Sequence, residues 1–301
     1  MEPQRAKSVT RSVQWREKAF PYALLAPALL LLAALTVYPF FYILHTSVHR
    51  LTPAGETFVG AQNFLRLLGD PFFYRAAVQT LVFTASALTL EFALGLALAL
   101  LLDSQIRGRA LWRALLLLPM ILPPVVAGVT WRLIYNPGFG PLNGALRLLG
   151  LDTRRLTWLA DPRFALPSVV LVDVWEWTPF VFLILLAGLQ AIPEEPYEAA
   201  RIDGSSPGQT FRHVTLPLLL PALLVALVLR TMDLLRLFDS VFILTQGGPG
   251  FATETLSLYI YKTAFRFYDF GYAAAASLAL LVVTGALSRL YIRFLTRQER
   301  A

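Results

Sequence analysis

Four residues spaced for one helical face stand out in an otherwise apolar chain: Asp173, Glu176, Trp177 and Phe180. Their i, i+3, i+4, i+7 spacing puts two carboxylates and two rings side by side. Carboxylates accept hydrogen bonds from hydroxyl groups, and aromatic rings stack on the apolar faces of sugar rings. That pairing suits a polyhydroxylated ligand. An aromatic belt at a membrane surface would use Trp175 and Trp177 as well. A second run, Arg230, Asp233, Leu234 and Leu237, repeats the pattern, with Arg236 and Asp239 nearby. Arg and Asp three apart can offset each other's burial as a closed pair, or form a second wall of a polar path. Two separate segments with the same kind of polar face favour the path. Glu91 lies alone in apolar sequence, either on that path or as a packing carboxylate bonded to a neighbouring helix. Gly95, Ala97 and Ala99 beside it favour close helix packing.

The elements that must hold these groups are membrane spans. The 301 residues are 56% hydrophobic and 15% charged, with mean hydropathy +0.60. Soluble domains carry about 25% charged residues. Six apolar runs are each long enough for a bilayer core at 1.5 Å per residue. They lie at about 22–44, 76–102, 114–135, 166–189, 218–240 and 270–294. The expected fold is therefore all-α, a polytopic membrane protein with a six-helix domain over 20–295 and tails at 1–19 and 296–301. Pro119, Pro123 and Pro124 predict a kinked or locally unwound third span. The stretch from Thr46 to Tyr74 is polar, with a short interfacial segment around Phe58–Phe64, and 142–163 is a loop with a short amphipathic stretch at Leu146–Leu149.

Charge fixes the orientation. The basic residues of the N-terminal tail, Arg107 to Arg113, and Arg289 to Arg300 fall on one side of a six-span chain, which is expected to be cytoplasmic. Arg147, Arg154, Arg155 and Arg163 fall on the other side, so the bias is imperfect. The net charge of +7 is membrane-orienting charge rather than a nucleic-acid surface. No phosphate-loop motif occurs, so ATP hydrolysis is not expected of this chain. There is no cysteine, and His45, His49 and His213 form no recognised ligand pair, so no metal is expected.

Between the fourth and fifth runs lies the longest informative polar interlude, 193–217. It contains Glu198-Ala199-Ala200, Asp203-Gly204, Ser205-Ser206-Pro207-Gly208 and Leu216-Pro217. Gly204 and Pro207 break a regular helix, which predicts a bent helix pair outside the membrane tied to two spans. This spacing resembles the EAA loop of the membrane subunits of ABC importers. Leu244-Thr-Gln-Gly-Gly-Pro249, within the run from Arg230 to Asp269, resembles the sugar-importer branch, as does the weaker Phe58-Val-Gly pattern with Asn63-Phe64.

The resemblance covers nearly the whole chain and is to permeases of carbohydrate-uptake ABC importers of the maltose type. It implies a type I importer permease fold in a bacterial or archaeal cytoplasmic membrane, with both termini inside. It implies a second permease, an ATPase dimer that binds ATP and Mg, and an external solute-binding protein; this chain itself would bind no cofactor. The importer's sugar site would map to Asp173, Glu176, Trp177, Phe180, Arg230, Asp233, Leu234 and Phe238. Glu198, Ala199, Ala200, Asp203, Gly204, Phe211 and Pro217 would couple to the ATPase. The mapped site is more charged than a mainly apolar, amide-lined maltose site. Trehalose-like disaccharides, other oligosaccharides, polyols and glycerol phosphate therefore stay open as cargo. A secondary transporter or channel would share the spans and buried charges but has no use for the EAA loop.

Overall fold

The computed structural model describes residues 3–104, 107–153 and 156–298. Met1, Glu2 and residues 299–301 of the expected tails lie outside the described residues, as do Arg154 and Arg155. A long helix, α1 (Pro3–Ser47), leads into a hairpin of β1 (His49–Thr52) and β2 (Gly55–Phe58), then α2 (Gln62–Leu68) and α3 (Pro71–Asp103). Next come α4 (Arg109–Ile121), α5 (Pro124–Ile134), α6 (Pro141–Leu148) and α7 (Pro162–Gln190). After α8 (Glu195–Ile202) and α9 (Pro207–Thr210), a π-helical turn (Phe211–Thr215) runs into α10 (Leu216–Leu234). The chain closes with α11 (Asp239–Leu244), α12 (Leu256–Phe265) and α13 (Phe270–Gln298).

Among the described residues, five helices are long and apolar enough to cross a membrane: Leu24–Ser47, Pro71–Asp103, Pro162–Gln190, Pro207–Leu234 and Phe270–Tyr291. The sixth crossing expected at 114–135 is not one helix. It is α4 and α5, bent by 95° at Leu122-Pro123. Proline forces the residue before it into extended backbone and supplies no N–H. Leu122 and Pro123 accordingly have ψ of 135° and 138°. The fifth span also starts earlier than 218, because α9, the π turn and α10 form one unbroken rod. The polar stretch after α1 holds a two-stranded hairpin, in which Leu51 faces Glu56. Pro53-Ala54 turns it.

The helices that carry the polar faces start alike. Asp70 and Asp161 each accept a hydrogen bond from the N–H two residues on, at 2.9 Å, and a proline fills the first helical position of α3 and α7. Both devices satisfy or remove N–H groups that a helix start leaves open. The two helices then run side by side in the same direction. At Gly95 they touch so closely that a Cβ would lie 2.9 Å from Val181 Cγ1 and 3.2 Å from the Phe182 backbone nitrogen. Small residues are what permit such contact between membrane helices. Ala99, Val181, Phe182, Leu185 and Leu219 continue this core toward α10. Gly95→Val is expected to cost about 1–3 kcal/mol through overpacking. A lower melting temperature and lower membrane abundance would register it; an unchanged melting curve would mean that α3 and α7 can part without loss.

Candidate functional site

One arginine organises the middle of the bundle. Arg230, on α10, reaches across to α3 and α7. Its Nε and Nη2 donate to the two oxygens of Glu91 at 2.8 and 2.7 Å. Nη2 also donates to Asp173 Oδ2 at 2.7 Å, and Nη1 to Asp233 Oδ2 at 2.7 Å. Four of the five N–H groups of a guanidinium are thereby used. Arg230 and Asp173 are each 1% exposed and Glu91 is fully buried. Only Asp233 opens outward, with half of its side chain accessible. The guanidinium carbon also lies 4.9 Å from the centre of the Trp177 ring, within cation–π range. A planar fork that binds one carboxylate with two parallel bonds is something lysine cannot imitate.

Arg230 therefore does more than close the local pair with Asp233. It bonds three helices together, and Glu91 is its two-pronged partner on α3. Sequence spacing links residues a few positions apart on one helix and carries no signal for a partner 139 residues away. A lone intramembrane carboxylate and a lone intramembrane arginine are, however, grounds to expect a pair.

The other expected ligand-facing groups divide. Trp177 and Phe180 are half-buried and meet edge to face at 6.2 Å. Glu176 is 1% exposed, and its Oε2 has no hydrogen-bond partner among the described residues. Leu234 instead points into the apolar core with Phe83, Val169 and Val241. It follows Asp233 by one residue, about 100° around the helix. Phe238, a position the family resemblance supplied, lies beyond the end of α10. It stacks on Phe242 at 5.2 Å and tilts against Tyr261 at 5.0 Å. The geometry thus gathers Asp173, Glu176, Trp177, Phe180, Arg230 and Asp233 with Glu91, buries Leu234 in the core and packs the partly buried Phe238 against its edge.

At the far end of α7 and α10, the polar interlude forms a small exposed platform. Ala200 is buried, while Glu198, Ala199 and Asp203 are exposed. Gly204 takes φ +71°, a left-handed backbone that residues with a Cβ seldom adopt. Its N–H donates to the Arg201 carbonyl at 3.2 Å, and the Ser205 N–H to the Ala200 carbonyl at 3.0 Å. This pair of bonds stops α8 and turns the chain. Ser206 and Gln209 then cap α9 reciprocally. Phe211 is half-buried in the π turn, and Pro217, which has no N–H to give, sits just after it. Ile202 is 86% exposed at the tip of α8, although it is apolar. No polar pattern marks it; a large aliphatic residue just before the Asp-Gly turn was the available signal.

A cavity of about 570 Å³ lies at the opposite end of the bundle, away from Arg230, lined by Arg66, Asp70, Phe251, Glu254, Lys262 and Asp269. Its charges are already matched: Lys262 to Glu254 and Arg66 to Asp269, each at 2.5 Å. Burial works to raise the Asp70 carboxyl, but the hydroxyls of Tyr259 and Tyr272 and the N–H groups of Phe72 and Phe73 hold it below its ordinary value. Burial raises Glu254 against the opposing pull of Lys262. Those internal pairs brace the outer ends of α2, α12 and α13.

The family model described as binding-protein-dependent transport system inner membrane component matches residues 91–300. The chain is 39% identical over 291 residues to the trehalose/maltose transport system permease protein MalF of Thermococcus litoralis, covering 95% of this chain and 97% of that one. It is 36% identical to the trehalose transport system permease protein SugA of Mycobacterium tuberculosis, covering 92% of this chain and 89% of that one. In fold it is similar to a chain of a bacterial ABC transporter involved in import of the acidic polysaccharide alginate. That match has a TM-score of 0.83 at 23% identity, over 95% of this chain and 99% of the other.

Proposed function

This chain belongs to the binding-protein-dependent transport system inner membrane component family, and from that premise we propose that it is one permease of an ATP-driven sugar importer, with Arg230 as the hub of its translocation path. The cargo is a neutral di- or oligosaccharide of the trehalose or maltose kind. The chain does no hydrolysis; ATP and Mg bind to a separate ATPase dimer in the cytoplasm, where both termini also lie. A second permease completes the path, and a solute-binding protein delivers the sugar from outside.

The observation that carries the reading is the half-open face built on a buried guanidinium. Trp177 and Phe180 offer ring faces, and Asp233 offers a carboxylate already oriented by Arg230. Preorganised groups of this sort bind without the entropy loss of ordering flexible side chains. Asp173 and Glu176 stand behind them, both buried, and a sugar hydroxyl meets the unpaired Glu176 oxygen only if Trp177 or Phe180 moves aside. Leu234 and Phe238 support the wall from its packed side.

Coupling falls to the platform. Glu198 anchors α8, Ala199 and Ala200 allow close approach, and Asp203-Gly204 makes the bend. Ile202 inserts into an apolar groove of the ATPase, while Phe211 and Pro217 secure the base of α10.

The test is the assembled importer in nanodiscs, with ATPase rate followed while the binding protein is loaded with trehalose, maltose, longer oligosaccharides, polyols or glycerol phosphate. A neutral disaccharide is expected to stimulate most. Trp177→Ala is expected to lower the sugar response roughly tenfold, from about 1–1.5 kcal/mol of lost ring contact. Asp233→Ala is expected to lower it by about ten- to a hundredfold, as for a hydrogen bond to a charged group. A response untouched by both substitutions would move selectivity to the other permease. Stimulation by glycerol phosphate alone would replace the sugar.

A further inference from the structure

The hairpin after α1 brings together three side chains that neither the fold nor the transport reading uses. His45 lies in the last turn of α1 and His49 opens β1, with their rings stacked at 4.0 Å and 23° between planes. The β1–β2 turn folds the chain back so that Glu56 Oε1 lies 3.4 Å from His45 Nδ1 and 3.8 Å from His49 Nδ1. The three donor atoms all lie within 4.8 Å of one another. For bonds of about 2.1 Å, the edge of a tetrahedral zinc site is about 3.4 Å. The two nitrogen–oxygen separations lie close to that edge, so the three groups can converge on one ion with small side-chain movements. We propose that His45, His49 and Glu56 form a site for a zinc-class divalent cation at the end of the bundle opposite the coupling platform.

The surroundings hold the ligands in place. Asn63 donates to the carbonyls of Ser47 and His49 at 2.8 and 3.1 Å, which fixes the chain where α1 passes into β1. Phe58 packs edge-on against the His49 ring at 5.3 Å. His49 Nδ1 lies 2.7 Å from the His45 carbonyl oxygen. For Nδ1 to bind the ion, the His49 ring turns off that carbonyl and carries its proton on Nε2. Two imidazoles and one carboxylate select borderline ions such as Zn²⁺ over Mg²⁺ or Ca²⁺, which take oxygen ligands. Water completes the fourth position. The ion ties the last turn of α1 to both strands of the hairpin. Sequence alone hides the site, because the third ligand comes from a different element seven residues past His49.

The measurement is a Zn²⁺ titration of the full-length chain in its assembled complex, tag-free and washed with chelator, with Co²⁺ as a spectroscopic stand-in. The chain has no cysteine and only one further histidine, His213, so the background from this subunit is small. Wild type is expected to take one more ion per chain than His45→Ala, and bound Co²⁺ to show the intense visible bands of four-coordination. Glu56→Gln keeps the side-chain volume and should weaken binding roughly tenfold or more. Sugar-stimulated ATPase in both variants reports that the complex is intact. Equal metal content in wild type and both variants, or six-coordinate Co²⁺ spectra throughout, would overturn the site.

Discussion

Replacing Arg230 with methionine is expected to cost about 3–5 kcal/mol and to abolish import. The figure is that of breaking a buried ion pair by removing one partner. Glu91 and Asp173 would be left in the interior with no cation, on two different helices. Lysine would not rescue, because an ammonium cannot make the two parallel bonds to Glu91 together with those to Asp173 and Asp233. The melting temperature of the assembled complex and the yield in the membrane measure the first effect. Sugar uptake into proteoliposomes measures the second. The triple variant Glu91→Gln, Asp173→Asn, Arg230→Met separates stability from function. It removes the uncompensated charges, so the fold should recover while sugar stimulation of ATPase stays lost. Full import by the triple variant would mean that the network only holds the helices together.

Gly204→Pro is expected to leave the complex assembled and to uncouple it. Proline requires φ near −65°, whereas Gly204 sits at +71°, and proline also lacks the N–H that closes the end of α8 onto Arg201. Local strain of roughly 1–3 kcal/mol would reorient α8 and carry Ile202 away from its position. Sugar-stimulated ATPase should fall more than tenfold while the permease still co-purifies with its partners. Gly204→Ala is the graded control, at roughly 1–2 kcal/mol for a left-handed residue with a Cβ, and should give a partial loss. Normal stimulation in the proline variant would remove the coupling role from this turn.

Helical spacing was legible where one helix carries its own signal. Asp173, Glu176 and Trp177 do share a neighbourhood, and Arg230 and Asp233 do bond. The spacing does not extend to Leu237, because α10 ends at Leu234 and periodicity does not survive a helix end. Pro217 reads as a boundary, yet the rod from Pro207 runs through it, because the wide π turn before it absorbs the missing N–H. Adjacent Pro123 and Pro124 signalled a disturbed third span, but no local rule gives the 95° between its halves. The hairpin was hidden because four-residue strands are too short to show alternation. Glu91 was visible as a costly group, and its partner was not, because pairing between helices is decided by packing that local sequence does not encode.

The spacing of the Arg230 cluster along the chain also sets a timetable for biogenesis. Glu91 and Arg230 are 139 residues apart, and Asp173 and Arg230 are 57 apart. At about 5–20 residues per second, α3 is made roughly 7–28 s before its counter-cation exists. During that interval the Glu91 carboxyl group is present without the guanidinium that binds it in the finished fold. The two-pronged pair that locks α3 to α10 can close only after α10 has been made, so this contact is among the last of the bundle to form.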